Sequence, residues 1–291
     1  MSTPKAGVAL GSSGVLRPGA WRWLRSLGWM LLCLVALAAI LSLQSLARAI
    51  YPDSNVVLAM AFVCTALAYL AYAALVRWGE KRVPSELDLR ALPSELASGL
   101  VTGALLFALV FSLLWLSGAY QVAPGQWRDW PHDLREALGT GLLEELLARL
   151  VVFRLLARAF GIRWALALSA AAFGAAHLGN AHASRFAALA IAVEAGLMLA
   201  GFYLLTGRIW MSVGVHAAWN FTQGAIFGAR VSGMEDSGSL LVSTPVAGVS
   251  PIWSGGAFGP EASVPAMVVG LLAFVLILGR IRRHRLERAS T

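Results

Sequence analysis

Glu144, Glu145 and Arg149 lie in the run Gly-Thr-Gly-Leu-Leu-Glu-Glu-Leu-Leu-Ala-Arg-Leu-Val-Val-Phe, whose other residues suit a membrane-spanning helix. An ionisable side chain at the bilayer centre is disfavoured by at least about 2.5–3.5 kcal/mol, so it persists where it pairs or faces a polar cavity. On a helix, Glu145 and Arg149 share a face at a four-residue spacing and can neutralise one another. Glu144 is turned about 100° away from Glu145. It lacks that local partner, which makes it the candidate for chemistry. Two further polar signals follow in later apolar runs: Phe173-Gly-Ala-Ala-His177, and His216-Ala-Ala-Trp-Asn220 with both polar residues on one side of their helix.

Each signal alone has a structural explanation. A lone buried histidine usually bonds a backbone carbonyl, and a His/Asn pair can join two membrane helices by hydrogen bonds. Together they supply a carboxylate, two imidazoles and an amide on three helices, the parts of a site that activates water. Glu144 can take a proton from water and return it to a leaving amine. His177 and His216 can hold that water directly or bind a metal that lowers its pKa. Asn220 can donate to a developing oxyanion. No Ser-His-Asp or Gly-x-Ser-x-Gly arrangement occurs, nor a His-Glu-x-x-His helix, and Cys33 and Cys64 fall outside the group. Activated water therefore fits better than a covalent nucleophile. Glu194, in Ala-Val-Glu-Ala-Gly-Leu-Met, is a further carboxylate in an apolar run; it either faces the same cavity or makes a structural hydrogen bond. His132, His182 and Arg185 are expected in loops, and His284 in a basic tail.

The elements that must carry these residues are membrane helices. Of 291 residues 58% are hydrophobic and 13% charged, and the mean hydropathy is +0.72. Soluble domains have about 45–50% apolar and about 25% charged residues. The composition predicts an all-α polytopic bundle. Apolar stretches of spanning length, about 17–25 residues, fall near 27–47, 56–76, 96–117, 137–156, 164–180, 186–205, 210–228 and 264–280, which predicts eight helices. The net charge of +8 is spread over short loops and both ends. That pattern excludes a nucleic-acid face and suits lipid headgroups and topology. With the N-terminus inside, 17 Lys and Arg lie in inside segments and 5 outside, so both ends are expected in the cytoplasm. The run 27–47 is long enough to anchor and no cleavage site follows it, so a signal peptide is not expected. The divisions are a basic N-terminal segment (1–26), N-terminal membrane helices (27–135), a catalytic core (136–228), an extracytoplasmic Gly/Ser/Pro-rich loop (229–263), and a last helix with a basic tail (264–291). The segment 83–93 reads as a connection along the membrane surface. The Ala/Leu/Gly-rich composition suits a multi-pass protein of a bacterial inner membrane.

Glu144-Glu145-x-x-x-Arg149, Phe173-x-x-x-His177 and His216-x-x-x-Asn220, in that order inside membrane helices, resemble the three motifs of the CPBP family of intramembrane proteases. That family includes the type II CAAX prenyl endopeptidases and bacterial proteins linked to bacteriocin self-protection. The resemblance covers about Gly139 to Phe227, and Thr206-Gly-Arg-Ile-Trp210 also looks like the family's link between its last two motifs. It implies that Glu144 is the catalytic glutamate, that His177, His216 and Asn220 line the site, and that Glu145 and Arg149 support it. The family's metalloprotease label implies zinc, with His177, His216 and Glu144 as ligands. The implied partner is a membrane protein or peptide substrate. One conflict is visible: the assigned topology puts His177 and Asn220 toward the extracytoplasmic ends of their helices, whereas a CAAX-type substrate implies cytoplasmic access. The alternatives are a non-catalytic scaffold or immunity protein of the same fold, or a proton-coupled transporter, which should show internal repeats.

Overall fold

The computed structural model describes residues 7–51, 54–234 and 238–289; Lys5, Glu235 and Asp236 lie outside them. The protein is mostly helical, 74% by residue. Three apolar helices come first, α1 (Arg22–Ile50), α2 (Ser54–Gly79) and α3 (Leu92–Leu116). Strand β1 (Tyr120–Pro124) follows. A helix then runs from 130 to 160 as α4 (Trp130–Ala137), π-helical turns over Leu138–Glu144 and Leu146–Phe153, and α5 (Arg154–Phe160). Next come α6 (Ile162–Ala176), α7 (Arg185–Ile191), a π-helical turn over Ala192–Leu197, α8 (Met198–Thr206) and α9 (Trp210–Phe221) with a π-helical end over Thr222–Ile226. Strand β2 (Leu241–Pro245) pairs antiparallel with β1, then α10 (Pro251–Ser254) and α11 (Val264–Ala289) complete the chain.

A helix occupies each of the eight expected stretches. Among the described residues five are long and apolar enough to cross a membrane: Arg22–Leu46, Asn55–Gly79, Leu92–Leu116, Arg185–Thr206 and Val264–Glu287. The expected fourth, fifth and seventh spans fall short of that measure. Helix 130–160 carries Glu144, Glu145, Arg149 and Arg154, and α6 has only 15 residues, about 22 Å at 1.5 Å per residue against a hydrocarbon core of about 30 Å. Large apolar side chains such as Leu31, Leu70, Leu105 and Leu276 point outward, as they do when lipid is the solvent. The protein is thus a membrane protein whose polar groups are turned inward.

The loops gather at two ends. At one, the α2–α3 connection is held by buried charges. Arg154 meets Glu80 at 2.6 and 2.8 Å, Arg82 bridges Glu80 and Glu86 at 2.7–2.8 Å, and the Tyr72 hydroxyl donates to Glu86 at 2.5 Å. Arg154, counted among the inside residues, and Glu86, in the segment expected along the membrane surface, are both fully buried, because each guanidinium finds a carboxylate fork there. Burial alone would raise the Glu86 carboxyl, but Arg82 and Arg154 outweigh it and hold the group below the ordinary carboxylate range. At the other end the β1–β2 ribbon, residues 177–184 and residues 228–262 pack together, with Gly233 against the Ala181 carbonyl. The described residues of 229–263 are held by regular structure and backbone bonds. They contain β2, α10 and a 3₁₀ turn, and their backbone is tied down at Ala119, Gly228 and Phe258.

The closest helix pair is α3 with α9. Gly99 and Gly103 of α3 face Met211, Gly214 and Val215 of α9, a small-residue seam of the kind that lets membrane helices approach. A Cβ at Gly103 would collide with the Val215 carbonyl. Since α9 carries His216 and Asn220, we expect Gly103→Val to displace them. The variant should lose about 2 kcal/mol or more of stability through overpacking and most of its activity, checked by melting in detergent and by cleavage rate. A variant with the wild-type melting temperature and rate would show that the seam is not a positioning element.

Candidate active site

Glu144, His177, His216 and Asn220 line one cavity of about 170 Å³, together with Thr140, Phe173, Glu194, Trp219, Ser232 and Glu261. Four separate elements bring them there: the π-helical stretch of helix 130–160, the end of α6, α9 and the 229–263 segment.

The π-helical turns shape the first of these. A π bulge leaves backbone groups of its helix without their i−4 partners and is frequent at functional sites. Here the Tyr69 hydroxyl donates to the Leu142 carbonyl at 3.0 Å and the Thr140 hydroxyl to the Glu136 carbonyl at 2.9 Å. Glu145 and Arg149 still pair, at 2.9 and 3.1 Å with both side chains fully buried. The remaining guanidinium hydrogens go to the carbonyls of Gly196 at 3.1 Å and Ala195 at 3.3 Å. Glu145 does more than neutralise Arg149: its Oε1 is 3.1 Å from Nδ1 of His216. Among the described residues Glu144 has no side-chain hydrogen bond or ion pair, and it lines the cavity.

The tautomers of both histidines follow from their partners. A carboxylate paired with arginine accepts only, so Nδ1 of His216 carries the hydrogen. A carbonyl also accepts only, so Nδ1 of His177, 2.8 Å from the Phe173 carbonyl, carries one too. Each imidazole is thus left with Nε2 as an acceptor. Phe173 fixes the geometry between them: its ring centroid is 5.0 Å from that of His177 and 6.0 Å from that of His216, and Arg149 lies over its face at 4.9 Å.

Zinc can be tested against this donor set. The Nδ1–H bonds are the outer partners that metal-bound histidines have. Yet among the described residues no three His, Cys, Asp or Glu side chains are grouped so as to hold a metal ion. The residues as placed do not make a zinc ligand set, and the chemistry is derived from the side chains alone.

Two adjoining cavities define access. One of about 340 Å³ shares Glu144, Phe173, His177 and Asn180 and continues along Leu147, Ala148, Val152, Ala172 and Ala176, an apolar groove between helix 130–160 and α6. The other, about 180 Å³, shares Thr140, Asn220, Val231 and Met234 and runs to His132, Asp133 and Glu136. The apolar groove thus reaches Glu144 and His177, and the second cavity, lined in part by charged side chains, reaches Asn220. His132 was expected in a loop but lies in the first turn of α4, where Asp129 caps the helix by accepting from the His132 backbone N–H. His182 lies in a turn and is exposed, as expected; Arg185 is exposed too but is the first residue of α7 rather than a loop residue.

Glu261 was read from the sequence only as an acidic loop residue. It is 3% exposed, accepts from the Ser232 N–H at 2.5 Å and from the Gln223 amide, and lines the cavity. Burial pushes its carboxyl up to about 8, with the Ser232 bond pulling the other way. An acid whose folded pKa is raised is protonated when folded while the unfolded chain ionises, so stability falls as pH rises from about 4.5 to about 8. The melting temperature in detergent should drop by several degrees over that window, and Glu261→Gln should flatten the drop. An equal slope in both proteins would exclude this group as the cause.

The helical protein thus gathers a glutamate, two Nε2 acceptors and an amide around one cavity, a set of groups suited to activating water. Residues 126–222, about a third of the chain and containing all four residues, match the family model of the Rce1-like type II CAAX prenyl endopeptidases. Over that stretch the chain is similar to the CAAX-type endopeptidase domain. No curated protein and no solved structure matches the chain.

Proposed function

We propose that this chain is an endopeptidase that cuts a membrane-associated protein or peptide with water activated by Glu144. The observation that carries it is the convergence of Glu144, His177, His216 and Asn220 on one cavity, with Nε2 of both histidines unengaged by protein. Water donates one hydrogen to Glu144 and the other to an imidazole Nε2. As Glu144 takes the proton, the water oxygen bonds the carbonyl carbon and the Asn220 amide donates to the oxyanion. Glu144 then passes the proton to the amide nitrogen as the C–N bond breaks, leaving a carboxylic acid and an amine, and the acid's proton moves to the amine to give carboxylate and ammonium. Glu145 holds His216 in the required tautomer. The substrate enters by the apolar groove and water by the second cavity, since hydrolysis inside a bilayer needs both.

The cavity is roofed by residues 231–234 and Glu261, at the end from which α11 runs to the basic tail. With the positive-inside assignment, the site opens on the extracytoplasmic side of a bacterial inner membrane, opposite to the access a CAAX substrate would need. CAAX therefore describes the kinship of the domain, and the substrate is a different membrane peptide. The test is cleavage of membrane-anchored peptides by protein in proteoliposomes. His177→Ala and His216→Ala should each remove most activity, and full cleavage by either would overturn the assignment. Metal analysis with and without chelator distinguishes a metal-dependent version of the same reaction.

A further inference from the structure

Glu194 has no part in the hydrolysis above. It is 2% exposed, lies on the π-helical turn Ala192–Leu197 and lines the cavity that holds Glu144. Its Oε2 has no hydrogen-bond partner. The turn is pressed against α11, where a Cβ on Gly270 would come within 2.6 Å of the Glu194 Cα, so the side chain is held in place. Glu261 approaches the same cavity from the 3₁₀ turn Pro260–Ala262, fixed by Ser232 and Gln223. The two carboxylates interact electrostatically.

Among the described residues no Lys or Arg lines this cavity. The guanidinium of Arg149 is taken up by Glu145 and the carbonyls of Ala195 and Gly196. Three carboxyl groups therefore face a space that, among the described residues, holds two imidazoles and no other base. Buried carboxyl groups that share a site hinder one another's ionisation, and a buried acceptor without a partner is disfavoured. A cation entering the space relieves both. Ile191, Met198 and Leu199 supply an apolar wall, which suits the hydrocarbon stem of a basic side chain.

We propose that Glu194 and Glu261 form a subsite for a cationic group of the ligand, the ammonium of a lysine or the guanidinium of an arginine, held next to Glu144. That the group belongs to a peptide cut at the adjacent bond rests on the hydrolytic function proposed above; the cation subsite itself does not.

The test uses the full chain in detergent micelles with Glu144→Gln, so that binding is read without turnover. The probes are two Leu/Ala decapeptides, acetylated and amidated, with an uncharged fluorophore and a central lysine in one or norleucine in the other. Binding is read by fluorescence anisotropy. The lysine probe should bind at least about tenfold more tightly, as expected for a charge-assisted contact, and Glu194→Gln or Glu261→Gln should each remove most of that advantage. Equal affinity of the two probes overturns the proposal without any further variant. So does a lysine preference that survives both substitutions. If one variant fails to fold, the other and the two-probe comparison still decide the matter. Selective binding of the lysine probe combined with no cleavage of it by the wild type would contradict the proteolytic function and leave the subsite standing.

Discussion

Replacing Glu145 or Arg149 by alanine should destabilise the folded protein by about 3–5 kcal/mol, because each change leaves its partner charge buried and unpaired. Both side chains are fully buried. Arg149 spreads its hydrogens over Glu145, Ala195 and Gly196, so its loss also strips bonds from two carbonyls next to Glu194. Glu145→Ala further releases Nδ1 of His216. The two variants should therefore differ in kind: both lower the folded yield, and Glu145→Ala also alters the pH profile of whatever activity survives. In the double variant the losses should be well below additive, since removing both charges leaves no orphan. Melting in detergent measures this. Single variants within about 0.5 kcal/mol of wild type, the range of ordinary surface changes, would show that the pair is not the brace of helix 130–160.

Glu144→Gln should do the reverse: leave the fold intact and lower the cleavage rate by about 10²–10⁴, the range of a positioned general base. Stability should hold because Glu144 makes no side-chain hydrogen bond or ion pair among the described residues, and glutamine keeps its shape. Asn220→Ala should cost about 10²–10³ in rate, as for other oxyanion donors. The separation of Glu144 from its neighbour is thus measurable: one glutamate moves the rate, the other moves the melting temperature. A Glu144→Gln variant that fails to fold but retains activity per folded molecule would reverse the roles.

Much of the site was legible in the sequence because its residues are chemically unusual for where they stand. Glu144, His177, His216 and Asn220 each interrupt an apolar run, and an interruption of that sort is visible without coordinates. Glu194 stood out for the same reason and could be placed only as one of two options; the structure puts it on the cavity. Glu261 was hidden. It lies in a segment rich in Gly, Ser and Pro that looks solvated, and only the β1–β2 pairing and the Gly233–Ala181 contact fold that segment over the site.

Hydropathy does not by itself fix the number of spans. It finds apolar stretches, but α6 has only 15 residues, and the 210–226 helix is apolar where Trp210, Val213, Val215, Ala218 and Trp219 are buried against protein. The burial of Glu80 and Arg154 was not legible because they are 74 residues apart, and a long-range fork leaves no local pattern. The π-helical register of 138–153 also leaves no mark in composition. It arises where the helix is held by Tyr69 and by the tight approach of Gly141 to Ala217.

The central claim is that water, activated by Glu144, cuts a peptide bond in this cavity. Its most direct test is a single turnover of membrane-anchored peptides by the protein in proteoliposomes made up in H₂¹⁸O, with mass spectrometry of the new C-termini. Wild type should place one ¹⁸O in each new carboxyl group in the first turnover, and Glu144→Gln should produce none of these termini. Unlabelled carboxyl groups in that first turnover would mean that a protein carboxylate, not water, attacks the bond. The same labelled termini from Glu144→Gln would mean that the chemistry lies elsewhere.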